Sequence, residues 1–124
     1  MSKPYVLIVD DEPPLRELIA VSLGDDYVCS EASDSAEALR MLRERPPSLV
    51  LLDVMLPDGS GLDVVRAMRD DPALRDVPAV IVSAWQAPED IERAVESGAD
   101  AFLPKPFPPE ELVDVVNRLV GDAR

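Results

Sequence analysis

The sequence predicts an α/β protein in which five strands form a parallel sheet covered by helices. Short apolar, β-branched runs alternate five times with segments whose apolar residues recur every three or four positions. Three of the five runs are almost entirely apolar, as expected of central strands covered on both faces. The length of 124 residues suits one domain with its own core.

Each strand candidate is a short run with turn-forming or charged residues beyond it. The candidates are Tyr5 to Val9, Tyr27 to Ser30, Leu49 to Leu52, Ala79 to Val82 and Ala101 to Leu103. The first, third and fourth are the apolar ones. The second is more polar, so we expect it at an edge of the sheet.

The helix candidates begin with recognisable start signals. Pro13 and Pro14 suit a first helical turn, and Asp34 followed by Glu37 resembles a capping box. Gly59-Ser60-Gly61 lacks the third glycine of a nucleotide-binding loop, so we interpret it as a helix start. We expect the apolar stripes of the helices to face the sheet. Their members are Leu15, Leu18 and Ile19; Leu39 and Leu42; Leu62, Val65 and Met68; Ile91 and Val95; and Leu112, Val115, Val116 and Leu119.

The composition argues against several classes of protein. Asp and Glu outnumber Lys and Arg by 25 to 12, so the negative field opposes direct binding of nucleic acid. The chain has no histidine, which removes the commonest zinc ligand and any phosphohistidine of its own. No apolar run reaches the roughly 18 residues of a membrane span, and no signal-peptide core is present. We therefore expect a cytoplasmic protein that binds neither membranes nor nucleic acid directly.

Polar side chains follow four of the predicted strands, where ligand sites of open parallel sheets lie. They are Asp10, Asp11 and Glu12 after the first strand, Asp53 after the third, Ser83 after the fourth, and Lys105 and Pro106 after the fifth. Taken singly, each has an ordinary interpretation as a turn, a helix cap, a satisfied hydroxyl or a solvated lysine. Their convergence on one rim favours a functional site.

Four segments resemble the response-regulator receiver family. They are Val9-Asp10-Asp11-Glu12, Leu51-Leu52-Asp53-Val54-Met55-Leu56-Pro57-Asp58-Gly59, Val82-Ser83-Ala84 and Phe102-Leu103-Pro104-Lys105-Pro106-Phe107. The resemblance covers essentially the whole chain. It implies one flavodoxin-like receiver domain over residues 1–124, with a five-stranded parallel sheet of order 2-1-3-4-5 and helices on both faces.

The resemblance also implies the chemistry of the rim. Asp53 would accept a phosphoryl group from the phosphohistidine of a sensor histidine kinase or a histidine phosphotransfer protein. Mg²⁺, with Mn²⁺ as an alternative, would be held by Asp10, Asp11, Asp53 and the backbone carbonyl of Met55. Three carboxylates, the Lys105 ammonium and a divalent cation sum to zero charge. The chain would be a phosphoacceptor regulator, and its only catalysis would be its own phosphorylation and slow dephosphorylation.

Four further residues match the switch of the family. The Ser83 hydroxyl would bind the new phosphoryl group, and the small Ala84 would leave room for the backbone to follow. Phe102 matches the aromatic side chain that then turns inward, although an ordinary core phenylalanine is the alternative. The Lys105-Pro106 bond resembles one that is cis in the family. The change is expected to reach the face formed by the fourth and fifth helices and the fifth strand.

Met55 and Trp85 occupy positions that vary within the family, and we expect both to border the site. Apolar bulk there would restrict the attacking water and prolong the phosphorylated state. Trp85 has an alternative role as a partner-binding aromatic residue.

Alternative functions remain open at this point. A haloacid-dehalogenase-type phosphatase carries a second Asp two residues after its nucleophile, where this chain has Met55. A flavodoxin-type binding module is opposed by the strand-end carboxylates, and a receiver-like module that works without phosphorylation is the third alternative.

The expected partners are a phosphohistidine donor and a downstream protein effector. We expect a monomer or a phosphorylation-dependent dimer. With no output domain in the chain, the sequence is expected to be either a single-domain regulator or an excised part of a longer protein.

Overall fold

The structure is a computed structural model that describes residues 3–84 and 87–122, without the side chain of residue 122. Trp85, expected to border the site, lies outside the described residues. In the described part of the chain, no helix has the length and apolar character needed to cross a bilayer.

Five parallel strands form the main sheet, and two very short strands form an antiparallel pair in the loop after the third. In chain order the strands are β1 (Tyr5–Val9), β2 (Val28–Ala32), β3 (Leu49–Asp53), β4 (Met55–Leu56), β5 (Gly59–Ser60), β6 (Ala79–Ser83) and β7 (Ala101–Pro104). The main sheet has the order β2-β1-β3-β6-β7. Without the short pair β4 and β5, this is the predicted order 2-1-3-4-5, which is confirmed.

The polarity of the strands matches their positions in the sheet. Every residue of β1, β3 and β6, the three central strands, is buried. The edge position predicted for the second strand is confirmed. Its bounds were wrong, because parallel pairing with β1 aligns Tyr5 with Val28 and Val9 with Ala32. That pairing starts β2 one residue later and carries it two residues further than the apolar run indicated.

Within residues 3–84 and 87–122, five helices cover both faces of the sheet, as predicted. They are α1 (Pro13–Leu23), α2 (Ser35–Glu44), α3 (Gly61–Asp70), α4 (Pro88–Ser97) and α5 (Pro109–Asp122), with a 3-10 turn over Gly24–Asp26. The helices α1 and α5 pack on one face, and α2, α3 and α4 pack on the other. Because the five strands of the main sheet are parallel, all of them end at the same edge of the sheet. The residues that follow the strands therefore lie together at that edge.

The predicted start signals act as expected, with one difference. Pro13 begins α1, and the Asp34 carboxylate accepts the Glu37 N–H at 2.8 Å. The Glu37 carboxylate accepts the N–H of Ser33 at 2.8 Å, one residue before the position that a capping box requires. Ser60 caps α3, which confirms the interpretation of the glycine segment as a helix start.

The prediction that the apolar stripes face the sheet is wrong at three positions. Leu18 is 46% exposed, Ile91 40% and Val95 66%. The helix α4 packs on the sheet through Ala94 and Ser97, whose small side chains let the helix approach closely. Ile91 and Val95 consequently lie one turn apart on the outer side of α4.

Candidate functional site

Three predicted site residues meet at the carboxyl end of the sheet. Asp10 follows β1, Asp53 ends β3, and Lys105 follows β7. The Lys105 ammonium donates to Asp10 Oδ2 and to Asp53 Oδ2, at 2.9 Å in each case. Asp10 is 2% exposed and Asp53 7%, so these interactions are poorly screened by water.

The backbone orients both carboxylates. Asp10 Oδ1 accepts the N–H of Glu12 at 2.8 Å, and Asp53 Oδ1 accepts the N–H of Met55 at 3.2 Å. Each carboxylate thus accepts a backbone N–H from two residues further along with one oxygen, and accepts the Lys105 ammonium with the other. The two acids and the base form one preorganised unit.

The charges in this unit shift its pKa values. Burial, together with the charge of Asp10, raises the pKa of Asp53 above its ordinary value against the opposing effects of Lys105 and of the Met55 N–H. Burial alone would lower the pKa of Lys105, but the hydrogen bonds and charges of Asp53 and Asp10 together raise it. Lys105 therefore stays cationic at neutral pH. One ammonium between two carboxylates leaves a negative excess inside the site.

The residues at the rim fit a divalent metal ion. Carboxylate oxygens of Asp10, Asp11 and Glu12 lie within 4.8 Å of one another, with Asp10 buried and the other two exposed. A group of carboxylates that offers only hard oxygen donors suits Mg²⁺. Glu12 was not among the predicted ligands, although its place directly after the acidic pair was a usable signal.

Among the residues predicted for the switch, Ser83 is hydrogen-bonded directly to Lys105. Ser83 ends β6 and is 1% exposed, and its carbonyl accepts the Lys105 N–H at 2.8 Å. Ala84 is exposed, and Phe102 is half-buried against the core on the α2, α3 and α4 side. The Lys105-Pro106 peptide bond is cis. The backbone thus connects the predicted sensor to the lysine directly.

The rim is open to the surface on two sides. Met55 lies beside Asp53 and is 58% exposed. Its backbone N–H donates to the Asp53 carboxylate. A pocket of about 360 Å³ adjoins Lys105. Its wall is formed by Glu12, Leu15, Leu18, Ala84, Lys105, Pro106 and Phe107. A group from another molecule can therefore approach the unit without displacing the core.

Sequence reasoning missed two residues that support the site. A Cβ at Gly61 would lie 2.1 Å from the Asp53 carbonyl oxygen, so α3 begins in direct contact with the predicted acceptor. The Arg16 guanidinium donates to the Asp10 carbonyl at 2.6 Å. The glycine in the loop after Asp53 was a visible signal. Nothing local marks Arg16, because one of its side-chain partners is a backbone carbonyl, which any residue type offers, and the other is Glu31 of β2.

The comparisons with known proteins agree with this geometry. The family model described as response regulator receiver domain matches residues 6–117. The chain belongs to the response-regulator receiver family. Receiver domains of this family are phosphoacceptor regulators of two-component systems, so the predicted family is confirmed.

Curated relatives match most of this chain. The phosphate regulon transcriptional regulatory protein PhoB of Pseudomonas aeruginosa is 41% identical over 109 residues, which are 87% of this chain and 48% of PhoB. The DNA-binding response regulator MtrA of Mycolicibacterium smegmatis is 42% identical over 109 residues, which are 87% of this chain and 46% of MtrA. The chain spans about half the length of these two relatives.

Solved receiver structures share the whole fold. The receiver domain of a Francisella response regulator superposes with a TM-score of 0.91 at 27% identity, covering 98% of this chain and 100% of that one. The chemotaxis response regulator CheY4 of Vibrio cholerae gives a TM-score of 0.89 at 28% identity, covering 95% of this chain and 99% of its own. The flavodoxin-like receiver fold is confirmed.

Proposed function

We propose that this receiver is a phosphorylation-activated signalling switch whose acceptor is Asp53. The donor is the phosphohistidine of a sensor histidine kinase or a histidine phosphotransfer protein, encountered in the cytoplasm, and the reaction depends on Mg²⁺. The observation that carries the proposal is the Lys105 ammonium, 2.9 Å from each of two buried carboxylates.

The transfer forms a bond between an Asp53 carboxylate oxygen and phosphorus while the phosphorus–nitrogen bond of the donor breaks. The departing imidazole nitrogen takes a proton from solvent. Lys105 places a positive charge beside the acceptor, which lowers the repulsion between the Asp53 carboxylate and the incoming phosphoryl oxygens. When bound by Asp10, Asp11, Asp53 and the Met55 carbonyl, Mg²⁺ supplies the positive charge that the site lacks.

The phosphorylated state is lost by hydrolysis of the aspartyl phosphate. A water oxygen bonds to phosphorus, the bond from phosphorus to Asp53 breaks, and the proton of the water passes to solvent. The residue two positions after Asp53 is Met55, whose side chain can neither donate nor accept that proton. We propose that hydrolysis is slow for this reason, which disfavours the haloacid-dehalogenase-type phosphatase.

The signal leaves the site through β6 and β7. Two contacts support this route: the Ser83 carbonyl accepts the Lys105 N–H, and Ile81 of β6 pairs with Phe102 of β7. A hydroxyl movement at Ser83, with Ala84 following it, would disturb the neighbouring strand that carries Phe102. The receiving surface in this proposal is the face formed by α4, β7 and α5, and its reader is a downstream protein effector.

Phosphorylation by a small donor tests the proposal. We expect the chain incubated with Mg²⁺ and acetyl phosphate to gain one acid-labile phosphate and to change its Trp85 fluorescence. Asp53→Asn should gain none. The matched control is Asp63→Asn, which removes an exposed carboxylate paired with Arg66 on α3 and should be labelled like the wild type. An unlabelled wild type, or equal labelling of Asp53→Asn, would overturn the proposal, and rapid multiple turnover would favour the phosphatase.

A further inference from the structure

Arg16 links the acidic turn after β1 to the edge strand β2. One guanidinium nitrogen donates to the Asp10 carbonyl at 2.6 Å, and Nε donates to Glu31 at 2.7 Å. The Arg16 side chain is 15% exposed, whereas that of Glu31 is 45% exposed. The hydrogen bond to the Asp10 carbonyl therefore lies on the more buried side of the ion pair, away from solvent.

The backbone of Arg16 binds the same turn from its other end. Its N–H donates to the Glu12 carbonyl at 3.2 Å, beside the N–H of Leu15, which donates to that oxygen at 3.1 Å. The two residues between are Pro13 and Pro14, which have no N–H to offer. Arg16 thus contacts the carbonyls of both the first and the last residue of the acidic turn.

The remaining polar atoms of Asp10 are bound by other groups. Its N–H donates to the Ala32 carbonyl at 3.1 Å, and its two carboxylate oxygens accept from Glu12 and Lys105. The carbonyl that Arg16 binds belongs to the peptide joining Asp10 to Asp11. The orientation of this peptide sets the direction in which the exposed Asp11 side chain leaves the backbone, relative to the buried Asp10 carboxylate.

We infer that Arg16, oriented by Glu31, is a positioning residue that holds the Asp10 and Asp11 carboxylates in the arrangement a divalent cation requires. The inference rests on the proposed function, because the cation is the one that the phosphoryl transfer needs. The alternative is that Arg16 acts only through its charge. A positive charge beside the turn would weaken cation binding, so the two roles predict effects of opposite sign.

The ion pair with Glu31 makes positioning the larger effect. At 2.7 Å the carboxylate of Glu31 compensates much of the guanidinium charge, whereas it does not replace the hydrogen bond to the Asp10 carbonyl. The planar fork of arginine can bind two acceptors in fixed directions at once. An ammonium cannot reproduce that geometry even though it carries the same charge.

The test is the Mg²⁺ affinity of the full chain, measured by isothermal titration calorimetry. Arg16→Lys keeps the charge and loses the fork, and we expect its Kd for Mg²⁺ to rise about tenfold, as for other residues that orient metal ligands. The matched control is Arg40→Lys on α2, where the arginine pairs with the exposed Glu44. That variant should bind Mg²⁺ like the wild type.

A second variant separates positioning from charge. Arg16→Gln removes both the charge and the fork, so the inference predicts a higher Kd for Mg²⁺ than that of the wild type, whereas a charge effect predicts a lower one. A Kd at or below that of the wild type would overturn the inference, and so would wild-type affinity in Arg16→Lys. If Arg16→Lys does not fold, Arg16→Gln decides alone.

The wild-type titration separates this inference from the proposed function. If the wild type binds no Mg²⁺, the proposed Mg²⁺-dependent function fails and takes the inference with it. If the wild type binds Mg²⁺ and is phosphorylated while Arg16→Lys matches it in affinity, the inference alone fails. Urea unfolding without metal gives the independent measure that each variant is folded.

Discussion

At each end of the main sheet, one cationic side chain connects neighbouring segments of the chain. The two cations differ in the groups that accept their hydrogen bonds. At the carboxyl end, the Lys105 ammonium lies between the Asp10 and Asp53 carboxylates. At the opposite end, Arg69 of α3 makes four hydrogen bonds of 2.8 to 3.0 Å. Its acceptors are the carbonyls of Arg75, Val77 and Gly98 and the carboxylate of Asp100.

This difference in acceptors distinguishes a structural contact, whose charges are balanced, from a candidate functional site, whose charges are not. The Arg69 fork is matched mainly by neutral carbonyls, and its single charge is paired with one carboxylate. Lys105 faces two buried carboxylates with one charge, and Asp11 and Glu12 add more negative charge nearby. The first arrangement is electrically complete, whereas we expect the second to gain stability by taking up a cation. Changes at the two ends should therefore affect different properties.

The largest effect on stability is expected from Arg69→Met. Loss of four hydrogen bonds with a charged donor should lower the free energy of unfolding by about 3 kcal/mol, measured by urea denaturation. Phosphorylation by acetyl phosphate should proceed at the wild-type rate in the folded variant. Arg66→Met is the control, because Arg66 is half exposed and pairs only weakly with Asp63. A parallel loss of phosphorylation would remove the distinction between the two ends.

Lys105→Met should cost less stability without metal, about 2 kcal/mol, because it removes two hydrogen bonds from a charged donor where Arg69→Met removes four. The distinctive result is that Mg²⁺ should restore more stability to this variant than it adds to the wild type, since two unpaired carboxylates then bind the cation. Urea midpoints with and without Mg²⁺ measure this. Lys3→Met, on an exposed residue, is the control. An equal effect of Mg²⁺ on wild type and variant would contradict the negative excess.

Gly61→Ala should destabilise the carboxyl end by about 2 kcal/mol through overpacking. The added Cβ would lie 2.1 Å from the Asp53 carbonyl oxygen, so the helix or the acceptor must move. The matched exchange is Gly121→Ala in α5, where the Cβ would have no neighbour within 4 Å. That variant should gain about 0.5 kcal/mol from helix propensity. Opposite signs in thermal denaturation are the expected result, and equal signs would contradict it.

We expect apolar side chains at the rim also to set the lifetime of the proposed phosphorylated state. Replacing Met55 and Trp85 together by serine should speed loss of the phosphoryl group about fivefold, which corresponds to about 1 kcal/mol. The decay of acid-labile phosphate after removal of the donor measures the rate. Val21→Ser exchanges another exposed apolar residue, on α1, and should not change it. An unchanged lifetime in the double variant would refute the role assigned to apolar bulk.

The smallest effect is a pH dependence next to the rim. The N–H groups of Ser35 and Ala36 and the hydroxyl of Ser35 lower the pKa of Asp58, which joins the loop after β3 to the start of α2. A lowered pKa in the folded state means that the carboxylate stabilises the fold above its ordinary pKa of about 4 and loses this effect as pH falls further. The stability difference between wild type and Asp58→Asn should be constant near neutrality and shrink in acid. A difference that persists in acid would show that ionisation of Asp58 is not its source.

The strand order and the central part of the site were predictable because both depend on local features. Apolar strands followed at once by Asp10, Asp53, Ser83 and Lys105 place those residues at one end of any parallel sheet. The orientation of α4 was not predictable. Its apolar positions pointed to Ile91 and Val95, but close packing through Ala94 rotates them outward.

The sequence alone determined which residues can carry the chemistry, since residue type and position after a strand are properties of the chain itself. Tertiary structure decided which of them bind one another. Lys105 reaches Asp10 across 95 positions of sequence, and Arg16 reaches Glu31 across 15. Such contacts depend on how β1, β2 and β7 are aligned and how far each side chain must reach. Local periodicity carries no record of those distances, because only the packed core sets them.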